Sequence, residues 1–212
     1  GIVANRQQYG NLLNGVIHLP HTHIPSKNSF SWGQPNHGKE KADALNEIID
    51  FHGKDTIAAV IVEPIAGSTG VLVPPQGYLE KLRKICSEND ILLIFDEVIT
   101  GFGRVGASFA SNRFGVYPDI ITLAKGITNA TVPMGAVGVS SYIYNTIYNK
   151  NKEKIELFHG YTYSGHPLAC AAGLATLEVY EEEKLFERAR SLEKYFGSAA
   201  HSLAKLNVVK DV

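Results

Sequence analysis

Short apolar runs that end on charged residues constrain this chain more than any other feature. Ile57–Val62 ends at Glu63-Pro64, Ile91–Phe95 ends at Asp96, and Asp119–Leu123 leads through Ala124 to Lys125. Short runs rich in β-branched residues read as strands buried on both faces. Ala136–Val139 reads as a fourth strand. Between and after them lie helical patterns. Lys39–His52 places Ala42, Leu45, Ile48 and Ile49 on one stripe, and Gly77–Asn89 does the same with Leu79, Leu82, Ile85 and Cys86. His166–Tyr180 and Glu183–Leu206 read as two further helices, whereas Gly1–His37, rich in Asn, Gly, Pro, Ser and His, reads mostly as loop. The alternation predicts an α/β fold, a mostly parallel sheet with helices on both faces. In such sheets the site lies beyond the carboxyl ends of the strands, where Glu63, Asp96 and Lys125 fall.

Composition narrows the partners. The 20 basic and 21 acidic residues leave a net charge of -1, which argues against nucleic acid or an anionic membrane surface. No apolar segment is long enough to span a bilayer, and the opening GIVANRQQYG has no secretory pattern, so a cytoplasmic protein is expected. Cys86 and Cys170 lie in apolar helical patterns and read as buried thiols.

The charged strand ends carry the chemistry. A carboxylate after ILLIF is costly to bury unless a cation meets it, which leaves Asp96 a helix cap, a structural ion pair or the partner of a bound cation. Glu97 beside it suits a structural partner such as Arg104. Lys125, in LAKG, is either a surface lysine or an amine whose burial favours its neutral, nucleophilic form. An acid and an amine on one rim suit pyridoxal phosphate, where the amine bonds the cofactor and the acid pairs with the pyridine nitrogen.

Other motifs are weaker. In GYTYSGHPLA, Thr162 and Ser164 precede a helix N-terminus, a ready phosphate site, though capping uses the same residues. His18, His21 and His23 in HLPHTH lack a companion ligand motif and read as structural or interface residues, so no metal is expected. GSTG at Gly67–Gly70 lacks phosphate-loop spacing and reads as a tight turn.

Taken together, EPIAGSTGVLVPP, FDEVITGFGR, LAKGITNATVPMGAV and FHGYTYSGHPLACAAGLATLE resemble a class III aminotransferase of the fold type I pyridoxal phosphate enzymes. HLPHTH and GQPNHG resemble the omega-amino acid–pyruvate (β-alanine–pyruvate) transaminases in particular, and Ala66 in EPIAG leans the same way. The resemblance implies that Lys125 forms the Schiff base and shuttles the proton, that Asp96 pairs with the pyridine nitrogen, and that Val98 packs on the ring. It implies that Thr162 binds the phosphate held by a neighbouring subunit of a homodimer or dimer of dimers, with Tyr161 at the pocket entrance. Glu63 resembles the family's substrate-side glutamate, which pairs with a substrate-binding arginine. The implied reaction moves an amino group from an omega-amino acid or amine to pyruvate.

The chain resembles the middle half of a complete family member. By that resemblance residues 1–181 are a cofactor-binding large domain incomplete at its N-terminus, and 182–212 begin a small C-terminal domain. The family's glycine- and serine-rich phosphate loop, its ring-stacking aromatic and its substrate arginine have no match here. An inactive truncated or split-gene remnant is therefore one alternative. A γ-aminobutyrate-type transaminase or an aminomutase is another.

Overall fold

The computed structural model describes residues 2–10, 13–150, 157 and 159–212. Phe158, which opens the last of the family-like motifs, lies outside the described residues. In chain order the regular elements are α1 (Val3–Gln7), α2 (Pro25–Asn28), α3 (Ala44–His52), β1 (Ala59–Val62), α4 (Tyr78–Glu88) and β2 (Leu92–Asp96). There follow α5 (Ala110–Phe114), β3 (Ile120–Leu123), β4 (Ala136–Val139), α6 (Ser141–Lys150), α7 (Pro167–Glu182) and α8 (Leu185–Ser202). Single 3-10 turns occur at Lys39–Asp43, Lys54–Thr56, Lys125–Thr128 and Leu203–Lys205.

Two compact units result. One comprises residues 1–57, 65–90 and 197–212. Its core forms where the apolar stripe of α4 (Leu79, Leu82, Ile85 and Cys86) is buried with Ala42 and Leu45. Lys81 and Asp43 form an ion pair within the same unit. The expected Lys39–His52 helix begins as a 3-10 turn and becomes α-helical at Ala44, and Gly53, at φ 80°, ends it. Within this unit Trp32 stacks on His201, with ring centroids 4.6 Å apart.

The other unit comprises residues 58–64 and 91–196 and holds the sheet. Its strand order is β1-β2-β3-β4. β1, β2 and β3 are mutually parallel, whereas β4 runs antiparallel to β3. The segment between Leu123 and Ala136 holds a single 3-10 turn and no α-helix, the element that usually carries a parallel crossover, and the return is antiparallel. The start of β3 is hooked to β2 from both sides: Leu93 N–H donates to the Asp119 carboxylate at 2.7 Å, and Asp119 N–H donates to the Leu93 carbonyl at 2.8 Å.

The sheet departs from the expectation of burial on both faces. Register places Val60 beside Leu93 and Phe95 beside Ile121, and this face is closed, with Leu93 and Phe95 fully buried. The opposite face aligns Ile61, Ile94, Ile120 and Val139, with Asp96, Thr122 and Val137 in the next row. There Ile61 is 63% exposed and Val137 66% exposed. A continuously apolar strand does not reveal from its sequence which face the rest of a chain will cover. Of the two cysteines, Cys86 is buried and Cys170 is half-buried.

Candidate active site

Asp96 ends β2 on the open face, and its Cα pairs in register with Thr122 of β3. It is half-buried, and its Oδ1 accepts the Val98 N–H at 3.1 Å. Val98 is also half-buried. One strand over, β1 ends at Val62, level with Phe95, so Glu63 stands level with Asp96 at the same end of the sheet. Glu63 is half-buried, ahead of a buried Pro64. Past Thr122, β3 runs through Leu123 and an extended Ala124 into the 3-10 turn that opens with Lys125. Parallel register thus brings Glu63, Asp96 and Lys125 to one rim, as the sequence predicts.

Lys125 departs from expectation in one respect. It is exposed, so the described residues do not supply the burial expected for its amine. Its backbone is unusual instead. Lys125 lies in the left-handed region at φ 48°, which for an L side chain costs about 1–2 kcal/mol. The 3-10 turn is closed by Ala130 N–H donating to the Lys125 carbonyl at 3.0 Å and Asn129 N–H to the Gly126 carbonyl at 3.2 Å.

Glu97 corrects the expected pairing with Arg104. It is fully buried on the closed face, where its carboxylate accepts three hydrogen bonds: Thr100 Oγ1 at 2.7 Å, Ala110 N–H at 2.7 Å and Ser111 N–H at 2.8 Å. The last two are free amides at the start of α5, so Glu97 caps that helix from a distance. Its parity with the buried Leu93 and Phe95 was the available signal.

The GFGR motif forms a tight turn beside Lys125. Phe102 N–H donates to the Ser108 carbonyl at 2.7 Å, and Gly103 N–H to that of Ala107 at 3.1 Å. At Gly103, φ is 87° and a Cβ would sit 2.3 Å from the Phe186 ring, so only glycine fits. A cleft of about 520 Å³ opens here, lined by Phe102, Arg104, Lys125, Tyr180 and Phe186 among others.

Thr162 and Ser164 precede α7 but do not cap it. His166 does, its Nδ1 accepting the Leu168 N–H at 3.2 Å. Thr162 and Ser164 are exposed, as is Tyr161 at 72%. GSTG is the expected tight turn, with Val71 N–H donating to the Gly67 carbonyl at 2.9 Å. His21 Nδ1 accepts the His23 N–H at 3.0 Å, and His23 Nε2 lies 3.4 Å from the Asp211 carboxylate. No metal-binding cluster of His, Cys, Asp and Glu occurs among the described residues, and none of their helices is long and apolar enough to cross a membrane.

The family profile described as Aminotransferase class-III matches residues 4–212. The chain belongs to the class III aminotransferases. It is 62% identical over its whole length to an omega-aminotransferase of Caulobacter vibrioides, covering 48% of that protein. It is 47% identical to the omega-amino acid–pyruvate aminotransferase of Pseudomonas putida, again over its whole length and 48% of that protein. Among solved structures it is similar to a thermostable (S)-enantioselective omega-transaminase from Thermomicrobium roseum, at 40% identity and a TM-score of 0.85, over 99% of this chain and 46% of that one. The chain thus spans about half the length of the relatives it matches.

Class III aminotransferases are pyridoxal phosphate enzymes of fold type I, and the mostly parallel sheet is of that kind. The residues of the rim fit such a cofactor chemically. Asp96 offers a carboxyl group with one oxygen already engaged, and Lys125 offers an exposed amine just past the end of the adjoining strand.

Proposed function

We propose that this chain carries the cofactor-binding core of a transaminase that moves an amino group from an omega-amino acid or amine of the β-alanine kind to pyruvate. The observation that carries the proposal is the pairing of β2 and β3. It puts the Asp96 carboxylate level with Thr122, and Lys125 just beyond the same pair of strand ends. The pyruvate acceptor is supported by the P. putida relative, whose name states it.

Bound pyridoxal phosphate supplies the electron sink that makes the proton next to nitrogen removable. The chain's own groups have separate tasks. Lys125 holds the cofactor through its Nζ and, once freed, moves the proton. Asp96 stabilises a proton on the pyridine nitrogen by charge. Val98 packs on the ring. Glu63 sits on the substrate side, and Tyr161 at the entrance. Thr162, exposed ahead of α7, serves the phosphate site of a neighbouring subunit, which implies a homodimer or a dimer of dimers. Residues 1–181 belong to the cofactor domain and 182–212 open a smaller one, a division that rests on sequence resemblance.

The test uses the complete protein with pyridoxal phosphate, β-alanine and pyruvate, scored by alanine formation. Activity that disappears in Lys125→Ala supports the proposal. Equal alanine formation by Lys125→Ala would sink it, and turnover with 2-oxoglutarate but not pyruvate would move the enzyme to the γ-aminobutyrate type. Absence of cofactor binding by the 212-residue chain alone, beside a competent complete protein, would mark the chain as a piece that is inactive by itself.

A further inference from the structure

Tyr180 lies near the C-terminal end of α7, 54 positions from Gly126, and its hydroxyl donates a 2.7 Å hydrogen bond to the Gly126 carbonyl. The same oxygen accepts the Asn129 N–H, and the adjacent Lys125 carbonyl accepts that of Ala130. Both carbonyls that follow the lysine's Cα are therefore held. The turn needs holding. Lys125, Asn129 and Ala130 all have positive φ, at 48°, 50° and 59°, although none is glycine. Backbone of this kind persists only where its surroundings over-determine it.

Tyr180 is itself fixed. Its ring stacks with Phe102 at 6.3 Å and 25°, and meets Phe186 at 5.2 Å. Phe102 in turn supports Gly126 so closely that a Cβ there would lie 2.6 Å from Phe102 Cβ. Burial pushes the Tyr180 phenol above its ordinary range, and the nearby Arg104 offsets this only in part, so the hydroxyl stays a donor. A tyrosine used only for packing needs any acceptor for its hydroxyl. This one reaches the single turn that carries Lys125.

We infer that Tyr180 is a positioning residue for the Lys125 amine: its hydroxyl fixes the Gly126–Ile127 peptide, one link past Lys125, and so holds the turn that sets the direction in which the lysine leaves the rim. The inference rests on the proposed role of Lys125 as the cofactor lysine. It concerns a residue that touches neither cofactor nor substrate.

The experiment compares Tyr180→Phe, which keeps the ring cluster, with Leu177→Ala, which trims a 45% exposed side chain of the same helix. Both are made in the complete protein. In cofactor-free protein, exchange of the Asn129 and Ala130 amides accelerates about fivefold in Tyr180→Phe, the equivalent of one net hydrogen bond, and is unchanged in Leu177→Ala. The rate at which pyridoxal phosphate becomes borohydride-trapped on Lys125 falls by a similar factor, and kcat falls without a matching rise in KM for the amino donor. Wild-type exchange and trapping rates in Tyr180→Phe overturn the inference, as does Leu177→Ala reproducing its losses. If the unsubstituted protein traps no cofactor on Lys125, the cofactor reading itself fails. Equal trapping by unsubstituted protein and Tyr180→Phe overturns the positioning role alone.

Discussion

Asp96 and Glu97 are consecutive carboxylates that face opposite sides of the sheet. Asp96 stands half-buried on the open face with one oxygen on the Val98 amide, whereas Glu97 is fully buried and holds the start of α5. The two-residue period of a strand places one acid on the face of the proposed site and the other in the architecture. Substitutions at the two positions should therefore fail in different assays.

Glu97→Ala leaves the Ala110 and Ser111 amides buried without acceptors. At about 1–3 kcal/mol for each unsatisfied group, a loss of roughly 3 kcal/mol is expected. Glu97→Gln keeps one acceptor oxygen but turns an NH2 toward groups that donate, so it loses less than Ala while remaining destabilised. Urea denaturation of the complete protein measures both. Unchanged midpoints would show that the cap contributes nothing.

Asp96→Asn preserves an oxygen for the Val98 amide, so stability should stay within about 0.5 kcal/mol. The charge is lost, and a hydrogen bond to a charged partner is worth about 1.5–3 kcal/mol, so pyridoxal phosphate affinity should drop roughly 10- to 100-fold. Spectrophotometric titration with the cofactor reads this directly. Wild-type affinity in the asparagine variant would remove Asp96 from the proposed site.

Gly126→Ala tests the fit between the lysine turn and the GFGR turn. The new methyl would meet Phe102 Cβ at 2.6 Å, and overpacking of this kind costs about 1–3 kcal/mol. Thermal unfolding should show the loss, and cofactor trapping on Lys125 should slow because the turn is displaced. Phe102→Gly combined with Gly126→Ala removes the opposing Cβ and should recover part of the trapping rate. If the double variant traps no faster than Gly126→Ala, the close approach is not what matters.

Alkaline stability should depend on Tyr78. This side chain is 5% exposed, and burial raises its pKa above the ordinary value of 10.0. The unfolded chain loses the phenolic proton near pH 10, whereas the folded chain retains it. The stabilising contribution is therefore complete below pH 10 and is lost as pH rises above it toward the folded value. Tyr78→Phe should flatten the decline in unfolding free energy above that pH, as followed by denaturant titrations at increasing pH. An unchanged slope would contradict the assignment.

The open sheet face predicts a different contrast. Ile61→Lys in the isolated 212-residue chain replaces a 63% exposed side chain, so stability should change by less than about 0.5 kcal/mol while solubility rises. In a complete protein that covers this face, the same lysine would be strongly destabilising. Similar effects in both would mean that the face stays open.

The strands and helices were legible because each obeys one dominant period. Ile91–Phe95 is an apolar run of strand length, and Leu79, Leu82, Ile85 and Cys86 recur at helical spacing. α5 and α6 escaped notice: Ala110–Phe114 is too short to show a period, and its start is fixed by Glu97, 13 positions upstream of Ala110. The rim was legible because Glu63, Asp96 and Lys125 each interrupt an apolar run. Tyr180 was not, since nothing in LATLEVYEEE reveals an acceptor 54 positions away. Exposure of Lys125 and of one sheet face also could not be read, because burial depends on what packs from elsewhere in the fold.

α7 begins just after the segment holding Thr162 and Ser164 and ends just after Tyr180. As a continuous 16-residue helix it is a rod about 24 Å long that ties the spacing of one end to the other. Point changes along its exposed side leave that spacing alone. Loss or gain of a single residue within it would swing one end about 100° around the helix axis relative to the other and shift it by about 1.5 Å. Length variation among relatives should therefore be tolerated in the loops on either side of this rod and avoided within it.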